Sequence, residues 1–116
     1  MATTATEPSR LRSGNPALGA DGKRLGPNSH FYTADAAECA SVRNDPGWIF
    51  EGAVFRVLAP AGGTCAQGTA PVLRVYNGRF AQNDSNHRYT LDSAMAAQMT
   101  GQGWTAEGVV FCVAAP

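Results

Sequence analysis

Apolar and polar positions alternate in short bursts along this chain, and the bursts are separated by glycine, proline and amide-rich stretches. Residues 72–76 (Val-Leu-Arg-Val-Tyr) are β-branched and aromatic enough to predict a strand. Their counterpart at 9–12, Ser-Arg-Leu-Arg, is poorer and predicts a frayed strand. The segments His30-Phe31-Tyr32-Thr33 and His87-Arg88-Tyr89-Thr90 also read as strands. In an extended chain their His and Tyr share one face, and the middle residue and Thr share the other. Asp35 is a good N-cap with Glu38 three residues later, so a helix is expected over about 36–43, stopping before Pro46. Asp92 caps a second run over 93–100, closed by Gly101. Cys39 and Val42 share one helix face, as do Met95 and Met99, and these short stripes are expected to pack on a sheet. Apolar strands are expected at 53–58 and 109–113, with the stretch from Trp to Phe in each copy either one bent strand or two strands joined at the glycine.

Self-comparison turns this series into a duplication. His30, Tyr32, Thr33 and Asp35 recur 57 positions later as His87, Tyr89, Thr90 and Asp92. Gly47, Trp48, Glu51, Gly52, Val54 and Phe55 recur 56 positions later as Gly103, Trp104, Glu107, Gly108, Val110 and Phe111. One deletion before the Gly-Trp pair accounts for the change of shift. Upstream, Arg10-Leu11 aligns with Arg74-Val75. The expected fold is α+β: two tandem strand-strand-helix-strand repeats with short antiparallel strands sharing one core. Residues 1–8 are expected to be a disordered or appended N-terminus, 9–60 the first repeat, 61–70 a linker made flexible by Gly62-Gly63, and 71–116 the second repeat, all in one compact domain.

Composition narrows the function. Nine basic and nine acidic side chains cancel, which argues against nucleic acid or an anionic membrane as an electrostatic partner. Charged residues make up only 16% of the 116, so the surface should be rich in amides, hydroxyls and glycine. No apolar run approaches the roughly 18–20 residues of a membrane span. No export signal of the basic-then-apolar type opens the chain. Cys39, Cys65 and Cys112 form no C-x-x-C pair, so a zinc ribbon is not expected, and spacing alone does not say which two would join.

The repeated residues have both functional and structural readings. His30 and His87 could share a metal or supply a base, but no third ligand has a recognisable spacing. Bracing a loop through the ring nitrogens is the favoured role, and no metal or other cofactor is expected. Glu51 and Glu107 could form an acid/base pair. Their recurrence with the repeat favours pairing with backbone N–H groups or with an arginine of the same repeat, Arg10 or Arg74. Most aromatics recur and should be core. Tyr32, Tyr89 and Trp104 could still line a groove beside His30 and His87. Phe80 has no counterpart in the first repeat and lies in a polar loop, which makes it the best candidate for an exposed contact.

The segments Pro71 to Asn77, Asn86-His87-Arg88-Tyr89-Thr90, Gly103-Trp104, Glu107-Gly108 and Val110-Phe111-Cys112, with Gly26 to Cys39 in the first repeat, resemble the bacterial repeat family DUF5648. The resemblance spans about residues 9–116. It implies a module at the C-terminal end of a secreted or surface protein and supplies no activity. It also implies a Cys65–Cys112 disulfide, closing a loop of about 47 residues and stabilising by roughly 3–4 kcal/mol. Where similar chains carry a first-strand cysteine, this one has Ser9-Arg10-Leu11, so Cys39 should be a free thiol.

Three functions follow as expectations. The first is a non-catalytic extracellular or cell-surface module for binding or adhesion, recognising an envelope polysaccharide or another surface polymer or protein. The second is a structural or protein-interaction spacer. The third is a hydrolase using His87 and Glu107, disfavoured because a duplicated pair predicts two half-sites while catalysis normally breaks symmetry. Neither nucleic acid nor membrane insertion is expected.

Overall fold

The structure is a computed structural model that describes residues 29–53 and 55–116, together with the strand pairing of 5–6 and 9–12. In chain order the elements are β1 (Ala5–Thr6), β2 (Ser9–Arg12), β3 (His30–Thr33), α1 (Ala36–Arg43), β4 (Ile49–Ala53), β5 (Val57–Leu58), β6 (Thr69–Tyr76), β7 (His87–Thr90), α2 (Ser93–Gly101) and β8 (Thr105–Ala114). All strand pairs are antiparallel. They form a five-stranded sheet, β1-β5-β8-β6-β7, and a three-stranded one, β3-β2-β4. With a helix packed beside each, the fold is α+β.

Local chemistry accounts for both helices. The Asp35 carboxylate accepts from the Ala37 and Glu38 N–H groups (2.8 and 3.0 Å), and Asp92 accepts from those of Ala94 and Met95 (2.9 and 3.2 Å). Just upstream, the hydroxyls of Thr33 and Thr90 accept from the Asp35 and Asp92 N–H groups (3.0 and 2.9 Å). Each His-x-Tyr-Thr strand therefore ends in a hydroxyl that turns the chain into its helix cap. The methionine stripe of α2 departs from expectation. Ala96 is the residue buried on that helix, while Met95 is 50% exposed. A small residue at the contact brings the helix close and leaves the longer side chain outside.

The strand expected at 53–58 is two strands. β4 ends at Ala53, and β5 joins the other sheet through Leu58 opposite Cys112. By contrast β8 runs unbroken for ten residues. The difference lies in the partner: β8 is paired along its length with the single eight-residue β6, whereas β4 and β5 pair with β2 and β1 in separate sheets. The segment Ala61 to Thr64 is a tight turn, closed by Ala61 N–H to Thr64 O (2.9 Å) and Thr64 N–H to Ala61 O (3.1 Å). Its two central residues, Gly62 and Gly63, have φ of +59° and +80°, which only glycine adopts without strain.

Two apolar clusters hold the elements together. Phe31 and Cys39 are buried between β3 and α1, with Val42 and Trp48 against them. Val57, Val72 and Phe111 form the second cluster, with Tyr32, Ala34 and Tyr89 packed on it. Four rings link that cluster across the molecule: Tyr32–Tyr89 at 5.6 Å, and Tyr32–Phe55, Tyr89–Phe111 and Phe55–Phe111 each at 6.0 Å. Tyr89 also satisfies the backbone of Tyr32, its hydroxyl accepting from the Tyr32 N–H (2.8 Å) and donating to the Tyr32 carbonyl (2.9 Å).

Cys65 and Cys112 are joined in a disulfide, and Cys39 is a buried free thiol. The bridge fastens the segment before β6 to a side chain of β8 that is fully buried. It closes a 47-residue separation. Replacing both cysteines by alanine should therefore lower unfolding stability in urea by about 4 kcal/mol, the loop-closure value for that length. A loss below about 1 kcal/mol would show that packing alone sets this register.

Candidate functional site

The site grows from one arginine. Arg74 lies on the central strand β6 and is 6% exposed. A guanidinium removed from water needs anions around it. Its Nε donates to Glu107 Oε1 (2.7 Å), and Nη1 and Nη2 donate to the two oxygens of Glu38 (3.0 and 2.8 Å). Nη1 also reaches the Tyr32 carbonyl (3.4 Å), and the guanidinium lies 4.7 Å from the Phe31 ring centre. The fork geometry is specific to arginine. Glu107 gets there through a β-bulge. Arg74 pairs with Gly108 and Val75 with Ala106, so Glu107 is the extra residue between them, and Gly108 has φ of +78°. β4 repeats the device: Arg10 pairs with Gly52 and Leu11 with Phe50, leaving Glu51 as the extra residue.

Burial and this pairing set the protonation states. Burial opposes ionisation of Glu38, but hydrogen bonds from Arg74 and Thr33 outweigh it and hold the carboxyl below its ordinary range. Burial likewise works against the Arg74 charge, and the bonds to Glu38 more than restore it, so its pKa is raised. Both groups are charged at neutral pH.

Above Arg74 opens a cleft of about 360 Å³. Glu38, Arg74, Glu107 and His87 line its floor, and Trp48, Tyr76 and Phe80 supply aromatic walls. Phe80 is 74% exposed on a short 3-10 turn, Phe80–Gln82. The loop carrying it is tied down by polar bonds. Asn77 Oδ1 accepts from the Arg79 and Asn86 N–H groups (3.2 and 2.9 Å), and its Nδ2 donates to the Asp84 carbonyl (2.8 Å). Arg79 Nε donates to Asp84 Oδ2 (2.6 Å). An apolar ring is thus displayed to solvent on a pre-organised loop at the rim of a cleft that holds charged groups.

Residues 25–115 match the family described as Domain of unknown function (DUF5648). The chain belongs to that family. No curated protein and no solved structure matches it. The DUF5648 match takes in every residue that lines the cleft.

Within this DUF5648 domain the expected site residues divide. His87, Phe80 and Glu107 come together in the cleft. His30, Tyr32, Tyr89 and Trp104 do not line it. His30 Nε2 lies 3.4 Å from Glu51 Oε1, and its ring stacks at 6.4 Å on Tyr32. Tyr89 is held in the core, where burial pushes its pKa up to about 12. Trp104 sits beneath Arg88 at 6.0 Å. The pairing expected between Glu107 and Arg74 is present, while the Arg10 side chain lies outside the described residues. Sequence reasoning left out Glu38 and Arg74 as site residues. One signal pointed to Glu38: the position matching it in the second helix is Met95. Among the described residues no group of three or more His, Cys, Asp or Glu side chains is placed to hold a metal, and no helix is long and apolar enough to cross a membrane.

His87 is the most perturbed group in the cleft. Its ring is sandwiched between Tyr76 (4.7 Å, stacked) and the edge of Phe31 (4.8 Å). Nδ1 is buried with no hydrogen-bond partner, and Nε2 lies 3.3 Å from Glu107 Oε1. That carboxylate is committed to Arg74, whose positive charge offsets it. Burial therefore leads, Arg74 adds to it, and the imidazole pKa is lowered to about 4. An unfolded chain would take up this proton near 6.5, the folded domain only near 4. The unfolded state binds more protons between those values, so stability is full above the upper one and falls as the pH drops toward the lower. Imidazole NMR resonances should show His87 still neutral at about pH 5. Titration near the ordinary histidine value would contradict this burial.

Proposed function

We propose that the chain is a non-catalytic binding module, carried by an exported protein, that recognises a glycan of the cell envelope. The observation that carries the reading is Phe80, a large apolar ring left in solvent on a bonded loop beside a cleft of charged and hydroxyl groups. A sugar presents an apolar face and a ring of hydroxyls, and such a site offers a partner to each. The Cys65–Cys112 disulfide supports an oxidising, extracellular or cell-surface setting. A hydrolase built on His87 and Glu107 is less well supported. Its carboxylate is tied to Arg74 and its imidazole has the basicity of a much weaker base.

A tandem duplication supports the same conclusion. Matched residues play matched parts: Asp35 and Asp92 cap helices, Glu51 and Glu107 occupy bulges, and Tyr32 meets Tyr89 as Phe55 meets Phe111. We read this as two strand-strand-helix-strand copies that share the apolar cluster of Val57, Val72 and Phe111. The copies differ where the cleft lies. Glu38 and Phe31 line it, and the matching residues in the other copy are Met95 and Arg88. A ligand site is expected to break a repeat's symmetry in this way. The spacer reading is favoured by one fact, the mutual satisfaction of Arg74, Glu38 and Glu107.

Phe80→Ala separates the two. Because the ring is exposed, the variant should keep the melting temperature within about 2 °C. On a glycan array the wild type should bind, and the variant should lose about tenfold or more in affinity. A silent wild type, or equal binding by the variant, would favour the spacer.

A further inference from the structure

The charge of the cleft narrows the ligand. Glu38 and Glu107 present two carboxylates against one guanidinium, and His87 stands neutral beside them. Arg74 is the only Lys or Arg among the described residues that line it. Exposure sharpens the imbalance: the Glu38 and Glu107 side chains are 35% and 28% open, the Arg74 side chain 7%. The two carboxylate side chains are therefore more accessible than the guanidinium they hold. Of the described arginines outside the cleft, Arg79 is paired with Asp84 and Arg43 lies over Phe50 at 4.0 Å. The exposed ring of Phe80 adds to the preference, since an aromatic face attracts cations as well as apolar surface.

We propose that the cleft selects a saccharide bearing a free amino group, its ammonium against the partly exposed carboxylates of Glu38 and Glu107 and its apolar face on Phe80. The inference rests on the glycan reading and deepens it. Sugars carrying carboxylate, sulfate or phosphate are repelled by the same oxygens. Ser41 supplies a neutral polar edge for the remaining hydroxyls, while the Ser85 hydroxyl is buried and bonded to that of Tyr76.

Calorimetric titration of the wild-type chain with four probes tests this: glucosamine oligomers, their fully N-acetylated forms of equal length, galacturonate oligomers and tri-lysine. Acetylation removes the charge and keeps the sugar backbone, so no variant need fold for the comparison to be read. At about pH 6 the glucosamine oligomer should bind about tenfold tighter than the acetylated form, with the preference shrinking as salt is raised. Galacturonate should not bind detectably. Glu107→Gln should narrow the preference, and Phe80→Ala should weaken both glucosamine forms alike. Equal or tighter binding of the acetylated oligomer, still lost in Phe80→Ala, would overturn the amino-sugar inference and leave the glycan reading standing. Binding of tri-lysine as tight as that of glucosamine would overturn it in favour of a peptide. Binding of none of the saccharides would overturn both.

Discussion

Arg74 carries a full charge into the interior, and much of the molecule is arranged to keep that charge paired. Its three partners come from three places: Glu38 from α1, Glu107 from the bulge in β8 and the Tyr32 carbonyl from β3. An unpartnered guanidinium at 6% exposure would cost several kcal/mol. So α1 must sit where Glu38 can grip the fork with both oxygens. The bulge must stay in register, and the segment before the turn at Gly62-Gly63 must lie against the segment after it. A buried pair of this kind adds less to net stability than to the choice of one arrangement over others. Here the arrangement chosen is the one that opens a cleft above the pair.

Around that polar centre the apolar packing is thin. Among the described residues only Val75 and Cys112 are large side chains buried almost completely. A chain of 116 residues buries a modest core, and this one adds other ties. The Tyr89 hydroxyl completes the backbone bonding of Tyr32, four aromatic rings bridge the middle, and a disulfide fixes β8 to the segment before β6. These ties leave the loop of Phe80 free of any packing duty. Its own amide and ion-pair bonds hold it instead, and the Phe80 ring is left exposed on it.

What could be read from the sequence was what local chemistry decides. Asp35 and Asp92 specify helix starts within a few residues, and both helices begin where those caps predict. The disulfide was legible only through the family resemblance, because three cysteines at wide spacing do not choose a pair. The division of 53–58 was not legible, since it depends on partner strands far away in the chain. The burial of Ala96 in place of Met95 depends on how close the helix approaches, which a hydrophobic pattern does not encode. The cleft was partly legible: Phe80 stood out by lacking a counterpart, and His87 and Glu107 by recurring. Glu38, Trp48 and Arg74 converge on it from separate elements, and only the tertiary fold brings them together.

The dependence of the fold on the Arg74–Glu38 fork is measured most directly by a double-mutant cycle. Unfolding free energies in urea would be compared for Arg74→Met, Glu38→Gln, the double variant and the wild type. Each single change leaves the other side chain without its main partner, so the double variant should lose less than the two losses added, with a coupling on the order of 2–3 kcal/mol. Additivity within about 0.5 kcal/mol would mean that the two side chains act independently and that the cleft is held together by something else.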